Sequence, residues 1–265
     1  MLSIELLSYY RWASQQRLTV VDVETTGQYA SEHRVTEISV LQASLEAGIF
    51  FQQTTLINPQ VMIPAKIVKF TGITPEMVKD APPAAAVFPD YLPLLSTGIL
   101  TAHNIEFDYA FLQAEFKRLK IDFHRPHCEQ LCTVQLARLM LPDLRSRSLP
   151  DLVKYFQFQV GRSHRAAADT LACWLLVKHL LTEILNEPDQ VLLDRFARQW
   201  MPLKDAAQLL GCSPAEGRSR LSEVPCRFVG RGSNGTWMYR RGDVEQVFDQ
   251  QPGDEQLSLL SSQPE

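Results

Sequence analysis

The stretch Leu18-Thr19-Val20-Val21-Asp22-Val23-Glu24-Thr25-Thr26-Gly27 places two carboxylates at the end of an apolar run. Residues 18–23 are mostly β-branched and apolar, which predicts a buried strand. Asp22 and Glu24 are two residues apart, and side chains at that spacing on a strand share one face, so both could reach one ion. An Asp-x-Glu pair after a strand is by itself more often an ordinary turn, and the assignment therefore depends on the rest of the chain.

The pattern around this strand predicts a mixed α/β sheet. Two further strands would close an antiparallel meander, after which helices and strands alternate. The predicted elements are strands at 34–42, 49–56, 99–103 and 131–134, with helices at 74–77, 84–95, 107–119, 135–140, 148–155 and 164–181.

The length of 265 residues allows one large domain and one smaller one. Pro188 and the polar residues around it indicate a linker before the second domain. The predicted segments are a helical lead-in at 1–17, an α/β domain at 18–183, a linker at 184–200, a small helix-turn-helix-like domain at 201–250 and a disordered tail at 251–265.

Composition narrows the class of protein. No apolar run approaches the roughly 18–20 residues of a membrane span, and the first residues lack the basic start and cleavage site of a secretory signal. Five cysteines at irregular spacing predict reduced thiols and a cytoplasmic protein without a membrane partner. The net charge of −4 argues weakly against a chain coated in nucleic acid, but it allows a locally basic groove.

Further carboxylates follow later predicted elements. Asp108 begins the helix after the strand at 99–103, and Asp169 lies in the last long helix, five residues after His164. Crowded carboxylates need cations to offset their repulsion, and hard oxygen ligands suit Mg²⁺ or Mn²⁺. Each residue alone has an ordinary interpretation, so their order and surroundings carry the argument.

Three motifs occur in an order that resembles the DEDDh superfamily of 3′→5′ exonucleases. Val21-Asp22-Val23-Glu24-Thr25-Thr26-Gly27 resembles the first motif, the segment 103–108 the second and the segment 164–169 the third. The segments 71–77 and 132–138 agree with secondary landmarks of the same family. The resemblance covers residues 18–183 and is nearest to the proofreading (epsilon) subunit of bacterial DNA polymerase III, in a family that includes RNase T and the TREX enzymes.

The resemblance implies a ribonuclease H-like fold, with a mixed five-stranded sheet flanked by helices. It implies hydrolysis of nucleic acid from the 3′ end, releasing nucleoside 5′-monophosphates by a two-metal mechanism with two Mg²⁺ ions that Mn²⁺ can replace. The implied metal ligands are Asp22, Glu24, Asp108 and Asp169.

The resemblance also assigns roles to neighbouring polar side chains. His164 is the implied general base, since imidazoles exchange protons near neutral pH. Thr25 is the implied contact to the terminal nucleotide, together with nearby backbone amides. His103 and Asn104 either contact phosphate or brace the metal site.

The C-terminal segment has a separate pattern. Residues 203–213 and 214–222 predict two helices around a glycine turn, and residues 227–239 predict a β-hairpin wing. The unit resembles excisionase or MerR-like winged helices, and a protein-interaction or dimerisation module is the alternative. Residues 218–241 contain six arginines and one glutamate. This excess of positive charge predicts a face that binds nucleic acid, formed by Arg218, Arg220, Arg227, Arg231, Arg240 and Arg241.

A second candidate metal site consists of His124, His127, Cys128 and Cys132. Their spacing differs from standard zinc arrangements, and no second ligand pair follows at the expected interval. A loop with a buried cysteine is the better interpretation.

The function predicted from the sequence is therefore a 3′→5′ exonuclease acting on single-stranded 3′ ends of DNA, in repair, replication or degradation. Three alternatives stay open: an RNA 3′-exonuclease, a proofreading subunit associated with a DNA polymerase, and a catalytically silent DNA-binding module. The catalytic residues do not distinguish DNA from RNA.

Overall fold

The computed structural model of the protein describes residues 1–161, 164–230 and 235–250. These residues form two compact units. Within the described residues, the larger comprises Arg11–Ala137 and Ser146–Leu185, and the smaller comprises Met1–Tyr10, Arg138–Arg145 and the chain from Asn186 onward. Among the described helices, none is both long and apolar enough to cross a bilayer.

A mixed five-stranded sheet organises the larger unit, as predicted. The strands are β1 (Leu18–Thr25), β2 (Val35–Ser44), β3 (Gly48–Leu56), β4 (Ile99–Ala102) and β5 (Gln130–Cys132). The helices up to residue 186 are α1 (Ser3–Ala13), α2 (Ala65–Thr71), α3 (Pro75–Val78), α4 (Ala84–Leu95), α5 (Ile105–Arg118), α6 (Thr133–Met140), α7 (Leu149–Phe156) and α8 (Ala166–Asn186), with a 3₁₀ turn at His127–Glu129.

Strand β1 lies in the middle of the sheet, whose order is β3-β2-β1-β4-β5. It pairs antiparallel with β2 and parallel with β4, and β4 pairs parallel with β5. A central strand is covered on both faces, which explains its β-branched apolar composition. The carboxyl ends of the parallel strands β1, β4 and β5 meet at one edge, where the first acidic motif lies.

An aromatic core holds α4 and α5 to the sheet. Phe88 of α4 and Phe116 of α5 meet edge to face, with ring centroids 5.2 Å apart. Phe111 of α5 is also buried among the apolar side chains of β1 and β2. Such packing fixes the start of α5 relative to the end of β1.

A buried ion cluster fixes the connection between β1 and β2. Glu115 of α5 is 1% exposed and receives both Nε and Nη2 of Arg34, at 2.8 and 3.0 Å. The backbone N–H of Val35 donates to the same carboxylate at 3.2 Å, and Arg118 lies 3.2 Å from it. Arg118 also donates to the carbonyls of Ala30 and His33, so α5 holds the loop that follows the first acidic motif.

The smaller unit contains helices α9 (Asp189–Ala197), α10 (Leu203–Leu209), α11 (Pro214–Arg220) and α12 (Arg241–Asp249). Its strands β6 (Trp200–Pro202), β7 (Cys226–Val229) and β8 (Thr236–Arg240) form an antiparallel sheet in the order β6-β8-β7. Its core consists of Met201, Ala206, Leu210, Leu221, Tyr239 and Val244.

The turn between α10 and α11 has the geometry that its sequence predicts. Gly211 adopts a φ of +66°, which favours glycine. Ala207 is buried against Gly217 of α11, where an added Cβ would lie 2.9 Å from the Ala207 Cβ. Small residues at both positions therefore let the two helices approach closely.

Two predicted segments differ from the structure. The expected linker at 184–200 is largely the helix α9, in which Leu192 and Phe196 are fully buried. Pro188 stands at the N-cap of this helix, a place where proline starts a helix instead of breaking it. Leu192 and Phe196 are four residues apart, as on one face of a helix, but the polar residues around them made the segment resemble a linker.

The helical lead-in at 1–17 is a helix, α1, but its start belongs to the smaller unit. The backbone N–H and Oγ of Ser3 donate to Glu245 Oε1 of α12 at 2.7 and 2.8 Å. Arg241 donates to the Met1 carbonyl at 3.0 Å. Residues more than 200 positions apart thus form one unit. The predicted tail at 251–265 lies outside the described residues.

We expect Glu115→Ala to lower the free energy of unfolding by about 1–3 kcal/mol, because Arg34 and the Val35 N–H lose a charged hydrogen-bond acceptor. The partial exposure of Arg34 and Arg118 keeps the effect below that of a fully buried charge. Urea unfolding measures it as a lower midpoint at unchanged slope. Glu46→Ala, at an exposed turn, is the matched control with an effect within about 0.5 kcal/mol. Equal midpoints for both variants would show that the cluster adds no stability.

Candidate active site

Three carboxylates converge where β1 ends and α8 begins. Asp22 and Glu24 leave the same face of β1, and Asp169 lies in the first turn of α8. One carboxylate oxygen from each of the three lies within 4.8 Å of the others. This spacing allows all three to bind one cation.

Asp108 is not one of these three and lies in the first turn of α5. It is 3% exposed, and its Oδ1 accepts a hydrogen bond from the Val23 backbone N–H at 3.0 Å. The helix starts after Asn104, which adopts a left-handed φ of +79°. The positive end of the helix dipole favours a carboxylate in this turn. Val23 separates Asp22 and Glu24, so this hydrogen bond ties α5 directly to the acidic motif.

His164 lies two residues before the start of α8 and takes a left-handed conformation with φ +62°. Its backbone N–H donates to Asp169 Oδ2 at 2.9 Å. Its imidazole ring lies against Phe70 of α2, with ring centroids 3.9 Å apart. Phe70 is 56% exposed, so the imidazole stacks on an aromatic ring that is open to solvent. Strained conformations of non-glycine residues concentrate at functional sites.

Glu37 is a fifth carboxylate near the site, and it lies outside the three sequence motifs. It lies on β2 directly opposite Glu24 and is 1% exposed. Arg165 binds it through Nε and Nη2 at 3.2 and 2.7 Å, and the Ala166 backbone N–H donates at 2.9 Å. A charged glutamate within the apolar strand Val35-Thr36-Glu37-Ile38 needs a partner when it is buried. This pattern is the one feature of the sequence that could have indicated Glu37. The pair fixes the N-terminus of α8.

A hydroxyl network fastens the next turn of α8 to the same sheet. Ser39 Oγ of β2 and Thr170 Oγ1 of α8 lie 2.9 Å apart, and Thr54 of β3 donates to Ser39 at 2.9 Å. Thr170 immediately follows Asp169. The position of Asp169 is therefore set by contacts on both sides of it along the helix.

Burial and mutual repulsion raise the pKa values of the site carboxyls. Burial, with the charges of Asp108, Asp169, Glu24 and Glu37, raises the pKa of Asp22 well above its ordinary value. The pKa of Glu24 rises to about 8, first through burial and then through Asp169 and Glu37. Burial raises the pKa of Asp108 to about 8 although the Val23 N–H opposes the shift. A bound cation would favour the ionised form of each group.

Two of the three polar residues predicted to contact substrate, His103 and Thr25, are hydrogen-bonded within the protein. His103 Nδ1 and Nε2 lie 2.9 Å from Thr133 Oγ1 and the Arg147 carbonyl, and burial lowers its pKa to about 4. A neutral ring with both nitrogens occupied braces the loop. Thr25 is 7% exposed, and its hydroxyl donates to the Gly27 carbonyl at 2.6 Å. Asn104 is exposed at the start of α5.

The cysteine and histidine residues of the second candidate metal site stay apart. Among the described residues, the group of side chains close enough to hold a metal ion is Asp22, Glu24 and Asp169, and no three of His124, His127, Cys128 and Cys132 form another. Cys128 is exposed, and Cys132 at the end of β5 is half-buried.

The predicted arginine face of the smaller unit is divided by the structure. Arg241 is 8% exposed and donates to Gln199 Oε1 at 2.6 Å, so it supports the fold and is not a surface contact. Arg218 donates to the Tyr239 hydroxyl at 3.0 Å, and Arg220 pairs with Glu216 at 2.6 Å. Arg227 is exposed and Arg240 half-buried. Arg231 lies outside the described residues.

The raised pKa values predict how pH affects the metal-free protein. Unfolded carboxyls ionise near their ordinary values of 3.8 and 4.5, whereas folded Asp108 and Glu24 ionise near 8. Between these limits the unfolded chain holds fewer protons, so the free energy of unfolding falls as pH rises.

With EDTA present, we therefore expect the Tm to fall between pH 5.5 and pH 8, by at least the roughly 3 °C that about 1 kcal/mol represents at this size. Mn²⁺ should raise the Tm more at pH 8, where its ligands are more readily ionised. Scanning fluorimetry of the parent and of Glu24→Gln measures both effects, and the variant should lose part of the pH dependence. Parallel pH curves for the two proteins would contradict the assignment.

The sequence pattern of the exonuclease family RNase_T matches residues 19–177. The 3′-5′ exonuclease DinG of Bacillus subtilis is 32% identical over 216 residues, which are 80% of this chain and 22% of that protein. The DNA polymerase III subunit epsilon of Aquifex aeolicus is 32% identical over 164 residues, 61% of this chain and 79% of that protein.

Solved structures share the fold. E. coli exonuclease I in complex with a dT13 oligonucleotide superposes with a TM-score of 0.56 at 19% identity, over 63% of this chain and 41% of that one. The chain spans 12–22% of the length of DinG and of the PolC-type DNA polymerases III that it also matches. The match over residues 19–177, together with 32% identity to a subunit of which 79% is covered, shows that this chain belongs to the exonuclease family.

Proposed function

We propose that this chain is a metal-dependent 3′→5′ exonuclease that releases nucleoside 5′-monophosphates from the 3′ ends of DNA. The observation that carries the proposal is the approach of Asp22, Glu24 and Asp169 to within 4.8 Å in a member of the exonuclease family. Asp108 adds a fourth carboxylate, hydrogen-bonded to the residue between the first two.

The donor set fits divalent cations with a preference for oxygen, such as Mg²⁺ or Mn²⁺. Asp22, Glu24 and Asp169 would hold them, with Asp108 contributing through the oxygen that Val23 leaves free. Bound there, two such ions would supply a water of lowered pKa and positive charge for the leaving 3′-oxygen. The raised pKa values support this fit, since repulsion among the carboxyls is relieved when cations bind.

His164 is the proposed general base. Its ring is half-exposed beside the carboxylate group, and its backbone N–H fixes it to Asp169. The Phe70 ring packs against the imidazole on one side, and a ring nitrogen would accept a proton from the attacking water. The position of His164 beside Asp169 supports this acid–base role next to the proposed cation ligands.

DNA is the proposed substrate because several relatives are named as DNA polymerase III proteins, and because one structural neighbour binds an oligonucleotide of thymidines. RNA is the alternative, since no described side chain at the site is committed to sensing a 2′-hydroxyl. Association with a DNA polymerase is a further proposal, based on the similarity to subunit epsilon.

The smaller unit is proposed to bind nucleic acid as a winged helix-turn-helix domain. Helices α10 and α11 meet at the Gly211 turn, and β7 and β8 form the hairpin that follows. In such a domain the hairpin would act as the wing that contacts nucleic acid.

We expect Asp22→Asn and Asp169→Asn to reduce cleavage at least about a thousandfold, because each removes charge that binds the cations. His164→Ala should lower kcat by about 10²–10⁴ while leaving Mn²⁺ affinity unchanged. The assay follows 5′-labelled single-stranded DNA and RNA of one sequence on a denaturing gel, with Mg²⁺ or with EDTA.

Asp122→Asn, at an exposed loop position, is the control and should keep full activity. A ladder that shortens from the 3′ end only with metal supports the proposal, and the ratio of DNA and RNA rates assigns the sugar. Full activity of Asp22→Asn would refute the metal site, and absence of cleavage of either strand by the parent would favour the binding-module alternative.

Arg165 is predicted to act through Glu37. Arg165→Ala leaves that buried carboxylate without its counterion beside Glu24, and we expect activity to fall about 10–100-fold, as for other residues that support metal ligands. Glu37→Gln in the same chain removes the excess charge and keeps an acceptor for the Ala166 N–H, so the double variant should regain part of the activity and Mn²⁺ affinity. Lys178→Ala, which removes an exposed charge from the same helix, should have no effect. A double variant as inactive as Arg165→Ala would contradict the charge argument.

A further inference from the structure

One face of the sheet in the smaller unit carries arginines that the core does not use. In β6 and β8, Met201 pairs with Tyr239, and both side chains are buried in the core. Side chains alternate along strands, so Trp200 and Arg240, which pair with each other, belong to the opposite face. We call this opposite face the outer sheet face.

Arg227 of β7 belongs to the outer sheet face as well. It pairs with Met238, which neighbours Tyr239 along β8 and therefore points away from the core. Arg227 is exposed, and Trp200, Met238 and Arg240 are half-buried. Three strands thus contribute to one surface.

Two guanidinium groups pack on one indole ring there. The Cζ atom of Arg227 lies 4.0 Å from the centroid of the Trp200 ring, and that of Arg240 lies 4.2 Å from it. Arg240 also donates to the Arg198 carbonyl. Within the described part of the chain, neither Arg227 nor Arg240 forms an ion pair with a carboxylate. The Arg198 side chain itself pairs with Asp143 at 3.4 Å.

This arrangement suits a phosphate group. A guanidinium stacked on an aromatic ring keeps its N–H groups at its edge, where they can bind phosphate oxygens in a bidentate manner. Stacking also orders two long side chains before a ligand arrives, which lowers the entropy lost on binding. The charge that the face presents is positive in a chain with a net charge of −4.

The arginines of helix α11 have polar side-chain partners within the protein. Arg220 pairs with Glu216 one turn away, and Arg218 is turned toward Tyr239 and the Trp237 ring, 4.4 Å from its centroid. The positive charge of this helix is therefore partly neutralised or directed inward.

We propose that the outer sheet face, through Arg227 and Arg240 ordered on Trp200, binds the phosphodiester backbone of DNA. The inference rests on the proposal that the smaller unit binds nucleic acid, and it moves the phosphate contact from α11 to the sheet. It is independent of the carboxylate site.

The test uses the full chain carrying Asp22→Asn, in EDTA, and measures binding to a labelled single-stranded 20-mer and to the matching duplex by fluorescence anisotropy over a range of salt concentrations. Arg227→Gln with Arg240→Gln removes both charges while a planar amide can still stack on Trp200. We expect affinity for at least one of the two DNAs to fall about tenfold or more, with the salt slope reduced by about 1–2.

The matched control is Lys204→Gln with Arg220→Gln, which removes the same charge from α10 and α11 and should change affinity less than about twofold. Arg227→Lys with Arg240→Lys keeps the charge but not the bidentate geometry and should bind between parent and glutamine variant. Unchanged binding by the Arg227/Arg240 glutamine variant, or an equal loss in the Lys204/Arg220 control, would overturn the proposal.

A second readout separates this inference from the exonuclease proposal. In chains with an intact Asp22 and with Mg²⁺, the Arg227/Arg240 glutamine variant should hydrolyse a dinucleotide at the parental rate but degrade long DNA more slowly. Equal loss on both substrates would overturn a role confined to the outer sheet face. An inactive parent whose DNA binding still depends on Arg227 and Arg240 would refute the exonuclease proposal alone.

Discussion

Repulsion among buried carboxylates is the constraint on which the rest of the site depends. Four acidic side chains approach one another where little water screens them. Burial first, and then repulsion, raises the pKa values of Glu24 and Asp108 to about 8. The fold resists this repulsion with backbone contacts: Val23 N–H holds Asp108, and His164 N–H holds Asp169. Because β1 is the central strand, Asp108 of α5 and Asp169 of α8 can both reach the carboxylates at its end.

The pair of Glu37 and Arg165 extends this principle. Glu37 adds a negative charge opposite Glu24, and Arg165 with the Ala166 N–H neutralises it while fixing the start of α8. The same interaction therefore compensates charge and sets the position of Asp169. A buried ion pair often adds little net stability compared with apolar packing, so its value here is geometric.

The sequence predicted what local patterns can encode. Strand periodicity placed Asp22 and Glu24 on one face, and the family resemblance identified Asp108, His164 and Asp169, although their roles stay proposals. Glu37 was not predicted, because its partner Arg165 lies 128 residues away and local sequence patterns carry no information on such a contact. Helix α9 was not predicted, because two buried apolar residues among polar ones give too weak a helical periodicity of hydrophobic positions. The arginine count could not tell buried Arg241 from exposed Arg227, since composition carries no information on direction.

The acidic site creates a further requirement on any chain with the proposed function. A group of carboxylates repels a phosphodiester, and the cations it binds offset only the charge at the reacting end. In a chain of net charge −4, affinity for the remaining strand must come from positive charge placed elsewhere. Arg227 and Arg240, held on Trp200 and unpaired with any described carboxylate, meet that requirement. On this proposal the smaller unit supplies an attraction to the polyanion that the group of carboxylates cannot supply.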